Sequence, residues 1–401
     1  MNRHCTSAKE HAIQMIDKLE KTKCTGCFSC VQKCPKKCID VIKDEEGFLV
    51  PAVNMELCIG CDLCEKACPQ LNPVFKNEPM ETYAAYAKEK TIVEKSTSGG
   101  VFAVVAATVL KDGGVVFGVE MTDEGIVRTC AIEKPENLYK LQGSKYVQAN
   151  TRTAYEQVRE YLQRDKMVLF SGTPCQVAGL YAYLGKEHKN LYTVEVVCHG
   201  VPSQELFDWY RAWLAKKLKS KIVNWTFRNK EKEGWAQIDK LELSDRVIYR
   251  RERLDPYTYT YLKGYSLRES CYNCQYCCSK RCADITVGDY WGISIHHPEF
   301  NNVCGVSLLL INTEKGRIIL DRIKEEVKLL PSNYEFMKMH NSGLVDSFPR
   351  PFQREMFYRD FKRKTMDAFV RQNMKVPPNV REIIRQYVPK KVRSVVKNKK
   401  G

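Results

Sequence analysis

One pattern of four cysteines occurs twice. Cys24, Cys27, Cys30 and Cys34 form a C-x2-C-x2-C-x3-C run closed by Pro35, and Cys58, Cys61, Cys64 and Cys68 repeat it before Pro69. Three thiolates at this spacing wrap one face of an iron–sulfur cube, while the fourth, on the following turn, reaches a second cube. The pairing therefore crosses between the copies. One [4Fe-4S] cluster takes Cys24, Cys27, Cys30 and Cys68, and the other takes Cys58, Cys61, Cys64 and Cys34. Gly26 and Gly60 leave backbone N–H groups within reach of sulfur. Zinc is the alternative metal, but zinc motifs usually pair two C-x2-C hooks rather than triple them. Cys5 and Cys38 are surplus to both sets. The duplication implies a pseudo-twofold minidomain, expected over residues 1–75.

Of nineteen cysteines, ten lie in residues 1–68 and five in 271–282; the other four are Cys130, Cys175, Cys198 and Cys304. No apolar signal core opens the chain, and the longest strongly apolar stretch, Val101–Leu110, is about half a membrane span. A cytoplasmic protein whose thiols bind metal rather than form disulfides is therefore expected. The 401 residues leave room for about two or three domains. A hydrophobic fraction of 44% with 28% charged residues excludes a disordered or fibrous chain. The net charge is +16, but residues 361–401 alone hold thirteen Lys or Arg against Asp367 and Glu382. This tail, not the body, would draw anionic partners. Val380–Tyr387 is mildly amphipathic, which fits a peripheral membrane contact; a solvated basic tail is the plainer reading. No nucleic-acid recognition motif accompanies the charge.

Gln70–Met80, with two prolines and few apolar residues, reads as a linker. A second domain is expected over residues 82–330 and a helical, basic extension over 331–401. Hydrophobic patterning predicts helices at Gly100–Leu110, Thr151–Arg164 and Ser203–Leu218, and others opening at Pro174 and Glu314. Buried strands are expected at Val115–Val119, Met167–Phe170, Leu191–Val197 and Val306–Ile311. Ile222–Phe227, Gln237–Leu243 and Val247–Arg250 suggest a more antiparallel region. The fold class is α+β or α/β mixed, with a strand order that the pattern does not reveal.

Several motifs in this body carry chemistry. Ser96-Thr-Ser98-Gly99-Gly100 opens a helix, where free N–H groups and the helix dipole can hold phosphate. Gly143-Ser144-Lys145 is a second small-residue turn with a cation. Neither a dinucleotide-binding glycine fingerprint nor a P-loop is present. Thr173-Pro-Cys175 and Cys198-His199 each follow a buried strand, where a helix start depresses a thiol pKa and where α/β sheets gather ligands. Cys271 and Cys274 form a C-x2-C hook, followed by Cys277, Cys278 and Cys282. Cys175, Cys198, Cys271 and Cys274 could hold a third cube; zinc in the 271–282 group, or a nucleophilic Cys175 with His199 as its base, are the rivals. His296-His297 is assigned no role.

Two resemblances follow from these motifs. The segment around residues 20–70 resembles the two-[4Fe-4S] bacterial ferredoxins. Further on, STSGG, QGSKY, SGTPCQVAGL, VCHGVPS, FRNK, the C-x2-C hook and ADITVGDYWG occur in this order. Together they resemble the coenzyme F420 hydrogenase/dehydrogenase beta-subunit family over roughly residues 82–320. That family binds FAD and an iron–sulfur cluster, and its flavin exchanges a hydride with the deazaflavin coenzyme. The resemblance thus implies a small ferredoxin-like domain fused to a larger flavin-binding α/β domain. It places Ser96, Ser98, Gly99, Gly100, Gly143, Ser144, Lys145 and Thr173 at the flavin, and Cys175, Cys198, Cys271 and Cys274 at an inner cluster. Lys145 and Cys198 are the candidate catalytic residues, Lys145 as the cation beside the reduced flavin. The aromatic GDYWG ending and the extra cysteines are closer to bacterial members found with cell-surface glycan genes than to those using the deazaflavin.

The implied activity is an oxidoreductase relay. A soluble one-electron carrier such as ferredoxin docks near residues 20–70, and charge passes through the outer clusters and the inner one to FAD, which serves an unidentified two-electron redox substrate. The alternative is an electron-transfer subunit with no substrate of its own, tied to cell-surface polysaccharide synthesis.

Overall fold

The computed structural model describes residues 16, 19–75 and 77–387. Cys5 and the cationic residues beyond 387 lie outside the described residues. The N-terminal segment holds a short hairpin, β1 (Ile39–Lys43) with β2 (Leu49–Val53), between two single-turn helices, Ser29–Lys33 and Leu63–Lys66. Each helix follows one of the repeated cysteine loops, and both start from a residue in left-handed backbone, Phe28 and Asp62. The repeat of sequence is therefore a repeat of conformation.

An eight-stranded mixed sheet forms the body, with strands β3 (Glu81–Ala87), β4 (Val115–Met121), β5 (Val127–Ile132), β6 (Val168–Gly172), β7 (Leu191–Val196), β11 (Ile285–Asp289), β12 (Ser307–Ile311) and β13 (Val327–Pro331) in the order 13-3-12-11-7-6-4-5. Strands β4, β6, β7 and β11 run parallel at its centre, and β5 on one side and β12, β3 and β13 on the other each pair antiparallel with their neighbours. Every residue of β6 and β12 is buried, as expected of central strands covered on both faces. The helices Val101–Lys111 and Glu314–Ile323 pack an aliphatic core on the sheet, and Ala154–Gln163 and Pro174–Leu184 contribute a second cluster with Phe117 and Phe170. Pro174 stands in the first turn of its helix, where its missing N–H has no partner to lose.

A separate three-stranded antiparallel sheet, β8 (Ile222–Thr226), β9 (Ile238–Leu243) and β10 (Val247–Arg251), lies in the order 10-9-8. It shares an aromatic core with the helix Gln204–Leu218, which Ser203 caps by accepting from the Leu206 N–H. Val380–Tyr387 is helical. It docks on β10 through polar side chains: Gln386 accepts from Arg251 N at 2.9 Å and donates to Tyr249 O at 2.6 Å. Ile383 and Ile384 remain about half exposed. Among the described residues, no helix is long and apolar enough to cross a membrane.

Candidate cluster and cofactor site

The two copies of the cysteine repeat enclose two small cavities. One is lined by Cys24, Cys27, Cys30 and Cys68, and the other by Cys34, Cys58, Cys61 and Cys64. The chain thus exchanges its fourth cysteine between the copies, as the spacing requires. Gly26 and Gly60 both take positive φ, 65° and 63°, which lets each loop turn tightly around its cavity; Gly60 N–H points at Cys58 Sγ, 3.5 Å away. Cys38, surplus by spacing, lines the second cavity with its sulfur 3.4 Å from Cys34 Sγ. Four thiols around each cavity with backbone donors between them suit a cubic cluster in donor type and number.

A larger cavity of about 320 Å³ lies beyond the carboxyl ends of the parallel strands, where ligands of such sheets bind. Ser96, Ser98, Gly100, Gly143, Ser144, Lys145 and Thr173 all line it, as do Cys175, Cys198, Cys271 and Cys274. The STSGG and QGSKY turns, 47 residues apart at Thr97 and Ser144, are stitched together there: Ser144 N donates to Thr97 Oγ1 at 2.7 Å. Gly99 departs from the expectation. Its N–H donates to Ser307 Oγ at 2.9 Å and any Cβ would collide with Ala85 O, so it serves strand packing rather than a ligand. Thr173 closes a capping box with Gln176 and places its Oγ1 3.2 Å from Cys175 Sγ. Lys145 is desolvated, which lowers its pKa to about 7, and two of its three donors go to the carbonyls of Lys140 and Gln142, at 3.1 and 2.8 Å.

The expected depression of the Cys175 and Cys198 thiols at helix and turn starts is overturned. Burial pushes Cys175 up to about 11 and Cys198 well above its usual range, because desolvation of the thiolate outweighs the local dipoles. His199 is no free base for Cys175: its Nε2 lies 3.2 Å from Tyr261 O, to which it donates, and its ring packs against Tyr261 and Phe348. The pair His296-His297 packs locally, with His296 stacked on Phe336 and His297 bonded to Ser332 Oγ at 2.8 Å.

The cysteine hook is held by charges buried in the sheet. Glu195 of β7, fully buried, accepts from Arg281 Nε at 2.5 Å, and from Cys282 N and Ala283 N. Asp284 accepts from Thr193 N and Oγ1 and from Thr313 Oγ1. Gly200, at φ 121°, lets the Cys198 turn approach the hook: a Cβ there would lie 3.2 Å from Cys271 Cβ. Cys277 joins the other four cysteines on the cavity wall.

Patterning did not point to several residues in this wall or behind it. Lys230 of the FRNK motif is buried and donates from Nζ to Val93 O and Ser98 O, each at 2.7 Å, pinning the STSGG turn. Tyr261 stacks on Tyr146 at 4.5 Å between ring centres. Buried Thr25 and Ser270 also border the cavity: the Thr25 hydroxyl bonds to the Cys175 thiol, while Ser270 Oγ has no hydrogen-bond partner among the described residues and has a donor to offer a bound group. The FRNK motif was the one signal available for Lys230; Thr25 and Ser270 sit in no pattern that marks them.

Comparisons with known proteins divide the chain into the same segments. Residues 23–71 match the 4Fe-4S dicluster domain; residues 82–155 and 165–335 match the N-terminal and C-terminal parts of the coenzyme F420 hydrogenase/dehydrogenase beta subunit. Pyruvate synthase subunit PorD of Methanothermobacter marburgensis is 37% identical over 51 residues, 13% of this chain; the chain spans 53% of the length of that curated relative. A chain of the xenon-derivatised F420-reducing [NiFe] hydrogenase complex from Methanosarcina barkeri is 15% identical, with a TM-score of 0.45 over 74% of this chain and 91% of that one. With both parts of the beta subunit matched in order behind a dicluster segment, the chain belongs to the coenzyme F420 hydrogenase/dehydrogenase beta-subunit family of oxidoreductases.

Proposed function

We propose that the protein is an iron–sulfur flavoprotein oxidoreductase that relays electrons between a one-electron carrier and a two-electron substrate. The observation that supports it most is convergence: one cavity joins the flavin turns expected from the resemblance to four cysteines drawn from three distant segments, beside the Cys24 set. Gly179, in the helix that begins at Pro174, marks how close the two are. A Cβ there would lie 3.1 Å from Cys27 Sγ, while Cys175 of the same helix faces the cavity.

In this reading Cys58, Cys61, Cys64 and Cys34 hold the cluster nearest solvent. Cys61 is exposed, and Met55, Leu57 and Ile59 of the same run carry apolar side chains 45–56% exposed, a surface suited to a protein carrier. Cys24, Cys27, Cys30 and Cys68 hold the second cluster against the body. Cys175, Cys198, Cys271 and Cys274 hold the third. An FAD supplies the bridge between one-electron and two-electron chemistry. The chain's own residues bind and orient it: Ser96, Ser98, Ser144 and the Gly143 turn face its polar groups, Lys230 keeps the Ser98 turn in place, and Lys145 presents the positive charge that favours an anionic ring. The walls of buried tyrosine and aliphatic residues exclude water.

Anaerobic purification followed by iron, sulfide and flavin assay tests the reading. Three cubes and one flavin mean about twelve irons and one flavin per chain; about eight irons without flavin would reject the relay. Rapid flavin bleaching of the isolated chain by a soluble hydride donor separates this enzyme from a subunit that only passes charge to a partner.

A further inference from the structure

Five arginines are buried among the described residues: Arg228, Arg251, Arg268, Arg281 and Arg354, all at most 6% exposed. Burying a guanidinium is costly unless an opposite charge accompanies it. Four of the five obey this rule. Arg228 pairs with Asp289 at 3.0 Å, Arg281 with Glu195 at 2.5 Å, Arg354 with Glu46 at 2.7 Å and Glu269 at 2.5 Å, and Arg251 with Glu233 and Glu382. Arg268 has no carboxylate partner among the described residues. Its Nε donates to Cys24 O at 2.7 Å, and its Nη1 to Leu49 O and to Gln148 Oε1, each at 3.0 Å. Its guanidinium carbon lies 5.3 Å from the Phe48 ring centre. Its remaining nitrogen, Nη2, points at Cys24 Sγ, 3.7 Å away. Its own carbonyl accepts from Cys271 N at 2.9 Å, which ties it to the start of the cysteine hook.

A full positive charge therefore sits against the Cys24 set, and the groups it meets among the described residues are neutral carbonyls, an amide, an aromatic ring and sulfur. A cube held by four thiolates is a net anion, and more so once reduced. Resting on the cluster reading above, we propose that Arg268 is the counter-cation of the Cys24 cube and that it sets the potential at which that cube takes its electron. Cluster potentials respond to net charge and to hydrogen bonds on sulfur, and both change at this one residue. The cation makes the reduced cube easier to form, so an electron arriving from the exposed Cys58 set is held beside the body. Gln148 is the positioning partner: its Nε2 donates to Thr25 O at 2.9 Å while its Oε1 receives Arg268.

EPR-monitored redox titration of the full chain, purified anaerobically, tests the assignment with Arg268→Gln and Arg268→Lys. In Arg268→Gln the reduced-to-oxidised ratio of the Cys24 cube at a fixed ambient potential should fall about tenfold, which for a one-electron couple is about 59 mV. The Cys58 cube should not move. Arg268→Lys keeps the charge without the fork, so a smaller shift of the same cube in the same direction is expected, and this variant decides the matter if Arg268→Gln loses iron. An unmoved titration in a fully loaded variant, or an equal shift of every step, overturns the proposal and leaves Arg268 as a structural tie. A wild-type protein without iron overturns the cluster reading itself, which the iron assay shows before any titration.

Discussion

The two cysteine runs are spelled alike and folded alike, yet they live in different surroundings. Around the Cys58 run, Cys61 is exposed and apolar side chains face solvent. The Cys24 run is buried in the body: Cys27 O accepts from Thr151 Oγ1 at 3.0 Å, Gln32 Oε1 caps the N–H of Tyr155 at 2.9 Å, and Arg268 binds Cys24. The repeat dictates how each loop closes on its metal, but the neighbour it packs against decides what each site does. In the relay proposed above, the first would be a port and the second an inner step.

Matched substitutions test this contrast. Gly26→Ala and Gly60→Ala put the same methyl at the same left-handed position, a strain of about 1–2 kcal/mol each. At Gly26 the new Cβ would also lie 2.8 Å from both Arg268 Nη1 and Gln148 Nε2. Its total cost should reach about 2–5 kcal/mol once overpacking is added. Thermal unfolding of the holoprotein should therefore show Gly26→Ala well below Gly60→Ala; equal melting points would erase the distinction. Gly179→Val crowds Cys27 and Tyr155 OH from the body side and should cost about 1–3 kcal/mol, with iron lost from one set only. On the port side, Ile59→Glu should change stability by no more than about 0.5 kcal/mol. It should nevertheless slow reduction by a protein carrier while leaving reduction by dithionite unchanged, and stopped-flow spectra compare the two.

The smallest effect expected is a pH dependence at the cavity. Lys145, lowered to about 7 by burial, is a cation below that pH and neutral above it. Stabilisation of an anionic reduced flavin should weaken as pH rises from 6 to 8, and Lys145→Met should flatten that part of the profile when the potential of the bound flavin is titrated at each pH.

Much of this architecture was legible in the residues. The grouping of the repeat cysteines around two cavities follows from spacing because three of each four are near neighbours in sequence. The helix caps at Ser203 and the Pro174 turn were legible for the same local reason. The flanking strands were not. β3, rich in alanine, has weak strand propensity and exists because β12 and β13 pair with it. β11 lay hidden inside the ADITVGDYWG motif, where it pairs with β7 and β12. The thiol shifts at Cys175 and Cys198 were misjudged because a helix start is visible in sequence while depth of burial is not.

What the chain's sequence determined by itself is the chemistry of its short-range pieces: two interleaved thiol sets, two small-residue turns, and a cysteine hook. Tertiary structure alone decided their mutual placement. It set one cysteine run against the body and left the other at the surface, brought Cys175, Cys198 and Cys271 onto one wall, and stranded Arg268 among them without a carboxylate. The reason is physical: bond angles and local sterics act over a few residues, whereas burial and charge pairing depend on which distant segments the folded sheet brings together.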